Sequence, residues 1–272
     1  MSGKDRPYRA WEILPDTWCI DGLIANCFLL IGKERAMLVD AGMSRNDLHA
    51  FVRTITDLPV FVANTHGHFD HTGGNGYFDE VYMSAYAATE AKHVFKIGED
   101  AREDSEYPLD YEIRIIEEGH VFDLGGRHVE AIAIPCHSPG SLAYLDLDRK
   151  ILFSGDEIDP AQVLLMNYAD TKGPRKRVED HLANMRKLEA RMDEIDFICP
   201  AHNGAPIVSS YIRTFITLDE KILNGEPGST EVFSPTWHGH GRPQDPNWRR
   251  INAPGTTGVV YDVRDYPEKT DC

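Results

Sequence analysis

Asn64-Thr65-His66-Gly67-His68-Phe69-Asp70-His71-Thr72-Gly73-Gly74 is the stretch whose reading decides the fold. Within six residues it carries four metal-competent side chains: His66, His68, Asp70 and His71. Directly ahead of it, Val60-Phe61-Val62-Ala63 reads as a short buried strand. On a loop leaving a strand, alternate residues can point the same way, so His66 and His68 can share one ion. Asp70 and His71, where the chain turns into the next element, can face a second ion nearby. Imidazole nitrogen and carboxylate oxygen suit Zn²⁺, and also Fe or Mn. The competing reading is a His-rich polar loop. The order of the ligands, and the tight backbone that Gly67, Gly73 and Gly74 permit, favour the metal site.

By itself this motif makes at most one site and a half. Three later segments each place a candidate ligand at the end of a predicted strand. They are Ile134-Pro135-Cys136-His137-Ser138-Pro139-Gly140-Ser141, Leu152-Phe153-Ser154-Gly155-Asp156 and Ile198-Cys199-Pro200-Ala201-His202-Asn203-Gly204. A lone His near a strand end is weak evidence, but four such segments in this order carry weight together. Two cations about 3.5–4 Å apart can share a water and bring its pKa toward neutrality, which supplies a hydroxide nucleophile.

Outward from the motif, the chain alternates strands and helices. Thr17 to Ile20, Ala25 to Ile31 and Ala36 to Val39 are rich in strand formers, and Ala36 to Val39 runs out into Asp40-Ala41-Gly42. Leu48, Phe51, Val52 and Ile55 recur at helical spacing, predicting a helix over Ser44 to Thr56 with Ser44 as N-cap. A helix is predicted over Ala85 to Phe95, then a charged excursion or lid over Gly98 to Asp110. Strands resume at Ile113 to Ile116, His128 to Ile134, Ser141 to Leu145 and Ile151 to Phe153. An amphipathic helix from Arg177 to Met192, a strand at Asp196 to Cys199 and a helix over Tyr211 to Leu223 follow. Two similar runs of strands then helix predict an α/β (α+β) protein with two sheets face to face and helices outside. Residues 1–224 form the predicted catalytic domain. The tail, 225–272, is rich in Gly and Pro and is expected to cross the surface in an extended course, on the same domain or on a partner subunit of a homo-oligomer.

The sequence resembles the metallo-β-lactamase superfamily, specifically its glyoxalase II-like hydrolase branch. The similarity runs from about Trp18 to Ile207. It rests on Leu38-Val39-Asp40-Ala41-Gly42, the His-x-His-x-Asp-His loop, His137-Ser138-Pro139-Gly140-Ser141, Phe153-Ser154-Gly155-Asp156 and Pro200-Ala201-His202. The resemblance implies a four-layer αββα sandwich of two mixed sheets with two metals at one edge. By that pattern His66, His68 and His137 hold the first ion, Asp70, His71 and His202 the second, and Asp156 bridges both. Asp156 also narrows the branch, since the zinc β-lactamases put Cys or Ser at the equivalent step. Glu157 and Asp159 are unusual and set the chain apart from glyoxalase II itself. Cys136 stands where the branch usually has Gly, either packed beside His137 or tuning the site.

The expected activity is hydrolysis of a small-molecule ester, thioester or lactone. Asp70 would serve as the catalytic carboxylate that orients the nucleophile or accepts its proton. An iron-dependent sulfur dioxygenase and a phosphodiesterase are the alternatives on the same fold. Asp40 is a candidate acceptor for a ligand His. Met166 and Tyr168 are candidate pocket-lining residues. Trp237 and His238 are candidates for the substrate mouth, with a packed tail as the competing reading. His240 shares the reading given for His238, and the other histidines, His49, His93, His120, His128 and His181, sit in segments without a ligand pattern.

Composition bounds the rest. The chain has 272 residues, 42% hydrophobic and 26% charged, enough for a full-sized core. A net charge of −16 repels a phosphate backbone, so no nucleic-acid partner is expected; Lys172 to Lys176 reads as a solvated loop leading into a helix. Five widely spaced cysteines with no CxxC pair argue against a disulfide framework and a thiolate zinc site. No apolar run is long enough to span a bilayer, and the N-terminus carries no signal-peptide pattern, so a cytoplasmic location is expected.

Overall fold

The computed structural model describes residues 8–43, 46–91, 111–166, 176–230, 245–254 and 257–269. Its first sheet has seven strands in sequence order. They are β1 (Ala10–Leu14), β2 (Thr17–Asp21), β3 (Asn26–Ile31), β4 (Ala36–Val39), β5 (Val60–Ala63), β6 (Val81–Met83) and β7 (Ile113–Ile115). Pairing is antiparallel from β1 to β4 and parallel from β4 to β7. The second sheet is built from β8 (Val121–Asp123), β9 (His128–Ala133), β10 (Leu142–Asp146), β11 (Ile151–Gly155), β13 (Phe197–Pro200) and β14 (Ile207–Val208). It too is mixed, because β11 and β13 run parallel while the other pairs are antiparallel.

Alternation along each strand decides what lies on each face. In β3, Phe28 and Leu30 turn inward to meet Phe153 and Tyr144 of the other sheet, while Cys27 and Leu29 turn outward. The Phe28 and Phe153 rings lie 5.3 Å apart at the centre of that inner layer. Each fully buried aromatic or aliphatic side chain there stabilises the fold by roughly 1.5–3 kcal/mol. Outside the first sheet pack α1 (Leu48–Val52) and α3 (Ala85–Glu90), with Leu48, Val52 and Ala87 in the outer core. Outside the second pack α4 (Val178–Glu189) and α5 (Tyr211–Leu223), through Met185, Leu188, Phe215 and Ile222. The result is the four-layer αββα sandwich.

Three local features differ from the expectation. Helix α1 starts later than Ser44, because Asp47 is the N-cap and its carboxylate accepts from the Ala50 amide at 2.9 Å. Ser44 itself lies outside the described residues, as do 92–110, which hold the end of the predicted Ala85–Phe95 helix and the Gly98–Asp110 excursion. The tail is not a simple extended crossing. Its β15 (Trp248–Asn252) and β16 (Gly258–Asp262) form an antiparallel pair, and β16 runs parallel to β12 (Val163–Leu164) in a third, three-stranded sheet. Ile251, Val259 and Tyr261 join the same outer core as α4 and α5. Both strands sit among Gly and Pro, and neither carries an apolar alternation that would mark it in the sequence.

The end of the sandwich where β10 finishes is closed by a buried ion pair. Arg127 donates from Nε to Asp146 Oδ2 at 2.7 Å, and reaches Thr17 Oγ1, Asp16 O and Ile31 O of the opposite sheet. At the other end of β10 lies the histidine-rich loop, where the Leu142 amide donates to Thr65 O at 2.8 Å.

Candidate metal centre

Chain geometry brings all seven sequence-predicted ligands to that end. Strand β5 stops at Ala63, and the loop that follows is fixed from several sides. Asn64 Nδ2 donates to His71 O at 2.8 Å, Tyr144 Oη donates to Asn64 O at 2.9 Å, and the Ala41 amide donates to His71 O at 2.7 Å. His68 then sits at the N-cap of a one-turn helix, α2 (Phe69–Thr72), which turns Asp70 and His71 into the same space. Only glycine fits at Gly67, where a Cβ would collide with the carbonyl of Ala87 and the Glu90 side chain. Gly155, just before Asp156, has φ +56° and would press a Cβ to 2.7 Å from Thr65 Oγ1.

Three imidazole nitrogens converge on one point. His66 Nε2 lies 3.0 Å from His68 Nδ1, and His137 Nε2 lies 3.2 Å from the same atom. The second group is Asp70, His71 and His202. Asp70 Oδ2 lies 3.7 Å from His71 Nε2 and 3.6 Å from His202 Nε2. Asp156 stands between the groups. Its Oδ1 is 3.3 Å from both His71 Nε2 and His202 Nε2, and its Oδ2 is 3.4 Å from His137 Nε2.

These spacings fit divalent ions. Tetrahedral coordination with bonds of about 2.0–2.1 Å puts ligand atoms roughly 3.3–3.4 Å apart, close to the observed separations. His71 Nε2 and Asp156 Oδ1 are buried and face each other as an ion pair at 3.3 Å, without a well-formed hydrogen bond. Buried polar atoms are rarely left so unless another partner belongs there.

The protein's own groups treat the two trios differently. Burial holds His66 and His137 well below the ordinary imidazole range, and burial with the nearby Lys176 charge brings His68 down to about 4. The first trio is therefore neutral and ready to donate electron pairs. In the second, burial again opposes charge, but Asp70, Asp156 and Asp40 outweigh it and hold His71 well above its usual range. Asp156 does the same for His202, raised to about 9 against its burial.

Support for these candidate ligands comes from behind. Asp40, itself in the left-handed region at φ +60°, accepts from His71 Nδ1 at 2.8 Å, so Nε2 faces the centre. It also accepts from the Thr65 amide at 2.7 Å and from Thr65 Oγ1 at 2.8 Å. His202 Nδ1 faces Ile24 O at 3.2 Å. Cys136 is buried in the outer core, and its Sγ donates to Arg177 O at 3.2 Å. Burial pushes that thiol well up, so it is no thiolate.

Several site residues carried no sequence signal. Glu90 lies 3.9 Å from His68 Nε2 and accepts from Ser138 Oγ at 2.6 Å. Lys176, in the stretch read as a solvated loop, has burial holding its amine below the usual range, and donates to Leu164 O at 3.3 Å. Both come from elements far from the motif in sequence, so no spacing could reveal them. Met166 is buried just beyond β12. Tyr168, Trp237 and His238 lie outside the described residues.

Comparison with known proteins agrees with this arrangement. A family model described as the metallo-beta-lactamase superfamily matches residues 20–202. The chain belongs to that superfamily and is a hydrolase of its glyoxalase II-like kind. It is 29% identical over 207 residues to the acyl-coenzyme A thioesterase MBLAC2 of Gallus gallus, covering 65% of this chain and 72% of that protein. It is 23% identical over 220 residues to the hydroxyacylglutathione hydrolase GloC of Haemophilus influenzae, covering 77% of this chain and 98% of that one. A beta-lactamase domain protein from Burkholderia ambifaria has a similar structure, with a TM-score of 0.60 at 19% identity over 79% of this chain and 76% of that chain. Among the described residues, no helix is long and apolar enough to cross a membrane.

Proposed function

We propose that the protein is a dinuclear metallohydrolase that cleaves an acyl thioester of a small molecule, with zinc as the ion. The observation that carries the two-metal reading is Asp156. One carboxylate faces both trios, 3.3 Å from His71 and His202 through one oxygen and 3.4 Å from His137 through the other. Thioester over ester or lactone is supported by two relatives named for hydrolysing acyl derivatives of coenzyme A and of glutathione, both of which carry the acyl group on sulfur.

When bound, the ions polarise the substrate carbonyl and bring a water's pKa toward neutrality. The chain's own groups do the rest. His66, His68 and His137 would hold the first ion and Asp70, His71 and His202 the second, with Asp156 shared between them. Asp70 would serve as the catalytic carboxylate that orients the attacking water or accepts its proton. Met166, just beyond β12, is assigned to the substrate wall. The four cysteines among the described residues are free, in keeping with a cytoplasmic protein. With net charge −16, its substrate is a small molecule rather than a nucleic acid.

The test is metal quantification on protein made without added metal, followed by assay on an acyl-coenzyme A, a hydroxyacylglutathione, a lactone, a β-lactam and a phosphodiester. Two zinc ions per chain and selective thioester turnover are expected. One iron per chain with oxygen uptake would sink the hydrolase reading, and turnover confined to the phosphodiester would sink the thioester.

A further inference from the structure

Asp156 is followed by Glu157, Ile158 and Asp159, and ion binding explains only the first of these acidic residues. Glu157 is 1% exposed and Asp159 3% exposed. Burying two more carboxylates beside Asp156 is unfavourable unless each gains specific partners. Both do, and the partners lie on opposite sides of the centre. Glu157 Oε1 accepts from the His137 amide at 2.7 Å and from the Cys136 amide at 3.1 Å. Asp159 accepts from Asn203 Nδ2 through both oxygens, at 3.0 and 2.9 Å. Asn203 directly follows His202 and holds a left-handed φ of +60°. Asp159 Oδ1 also accepts from the Ala161 and Gln162 amides at 2.6 and 3.1 Å, which closes its own turn.

Between the two, Ile158 is buried in the outer core, and its carbonyl accepts from Ser154 Oγ at 3.2 Å. The segment is anchored from behind by the helices and the tail. His181 pairs through Nδ1 with Asp219 Oδ2 at 2.8 Å, and its Nε2 donates to Glu157 O at 2.8 Å. Arg250 Nη2 donates to Ala161 O, and Thr257 Oγ1 to Pro160 O, each at 2.8 Å.

We propose that Glu157 and Asp159 are positioning residues that fix the two ligand loops about Asp156. Glu157 sets His137 of the first trio, and Asp159 sets His202 of the second through Asn203. One four-residue segment thereby supplies the shared carboxylate and the spacing of the loops on either side of it. The inference rests on the two-metal reading above.

Stepwise zinc affinities, measured by competition with a chromophoric chelator, test it alongside melting of the zinc-free chain. Glu157→Met keeps the volume and removes the acceptor. It should weaken one zinc equivalent by about 10–100-fold and leave the other near wild type, the range seen for outer partners of metal ligands. Glu157→Gln retains an acceptor oxygen and should bind both equivalents much as the wild type does. Asp159→Leu should weaken the other equivalent, and the double variant both. Zinc-free melting should hold in each variant, since the role assigned is to the loops and not to the core. Unchanged affinities in Glu157→Met and Asp159→Leu would overturn the proposal. So would Glu157→Gln binding as poorly as Glu157→Met, or either apolar variant failing to fold without zinc. A wild type that takes fewer than two equivalents would overturn the two-metal reading, and this inference with it.

Discussion

The two ends of the sandwich solve the same problem in opposite ways. Both bury charged groups between the sheets. At one end Arg127 meets Asp146, Thr17 and two backbone carbonyls, a network closed by the protein alone. At the other, seven metal-competent side chains converge, and His71 Nε2 and Asp156 Oδ1 are left without a well-formed hydrogen bond. Buried polarity that is satisfied internally holds the fold together. Where donors converge without well-formed hydrogen bonds they suit a ligand, and this donor set fits a divalent ion.

The sharpest way to break this contrast is to remove one charged group from each end. Asp156→Ala should lower thioester turnover by at least about 1,000-fold, since even partners outside the ligand set cost about 10–100-fold. Circular dichroism should show the fold retained. Arg127→Ala should do the reverse in kind, destabilising the chain by about 3–5 kcal/mol in denaturant unfolding because Asp146 is left buried and unpaired. The surviving folded fraction should still bind zinc. Asp40→Ala is intermediate: zinc affinity at the His71 end should fall about 10–100-fold while the His66 end keeps its own.

Protonation sharpens the comparison within the metal end itself. His71 is held well above its ordinary range and His202 at about 9, so at neutral pH both carry protons that must leave when an ion binds. His66, His68 and His137 are held low and have none to lose. Calorimetry at pH 7.5 in buffers of different ionisation enthalpy should find about two protons released with one zinc equivalent and almost none with the other. Affinity for the proton-releasing equivalent should climb as pH rises toward about 9.

A smaller effect is expected from His181 and Asp219, a buried pair completed without an ion. Burial opposes the charge on His181, but Asp219 outweighs it and raises the imidazole to about 9 from 6.5. A raised folded pKa contributes stability that is fully present below pH 6.5 and is lost as pH climbs through about 9. The gap in melting temperature between wild type and His181→Gln should therefore narrow across that window, with or without zinc.

Much of this was legible in the chain because it depends on local order. The alternation of Cys27, Phe28, Leu29 and Leu30 is enough to place one strand between two cores. His66, His68, Asp70 and His71 are read from spacing, and Asp156 from its place at a strand end. What escaped depends on distant meetings. Nothing near Glu90 announces its approach to His68, and His181 acquires its importance only where α4 meets α5 and Glu157. Helix α1 was misjudged at its start because Ser44 and Asp47 are both good caps, and only the helix that forms decides between them. The tail strands escaped for another reason: their stability comes from pairing with β12, which lies far away in sequence.

The zinc content of wild type and Asp156→Ala, each purified without chelator and measured by elemental analysis, tests the shared carboxylate most directly. Two ions per chain in the wild type, with loss of zinc in Asp156→Ala while the fold is kept, is the predicted result. A single ion in the wild type, or two retained in Asp156→Ala, would contradict it.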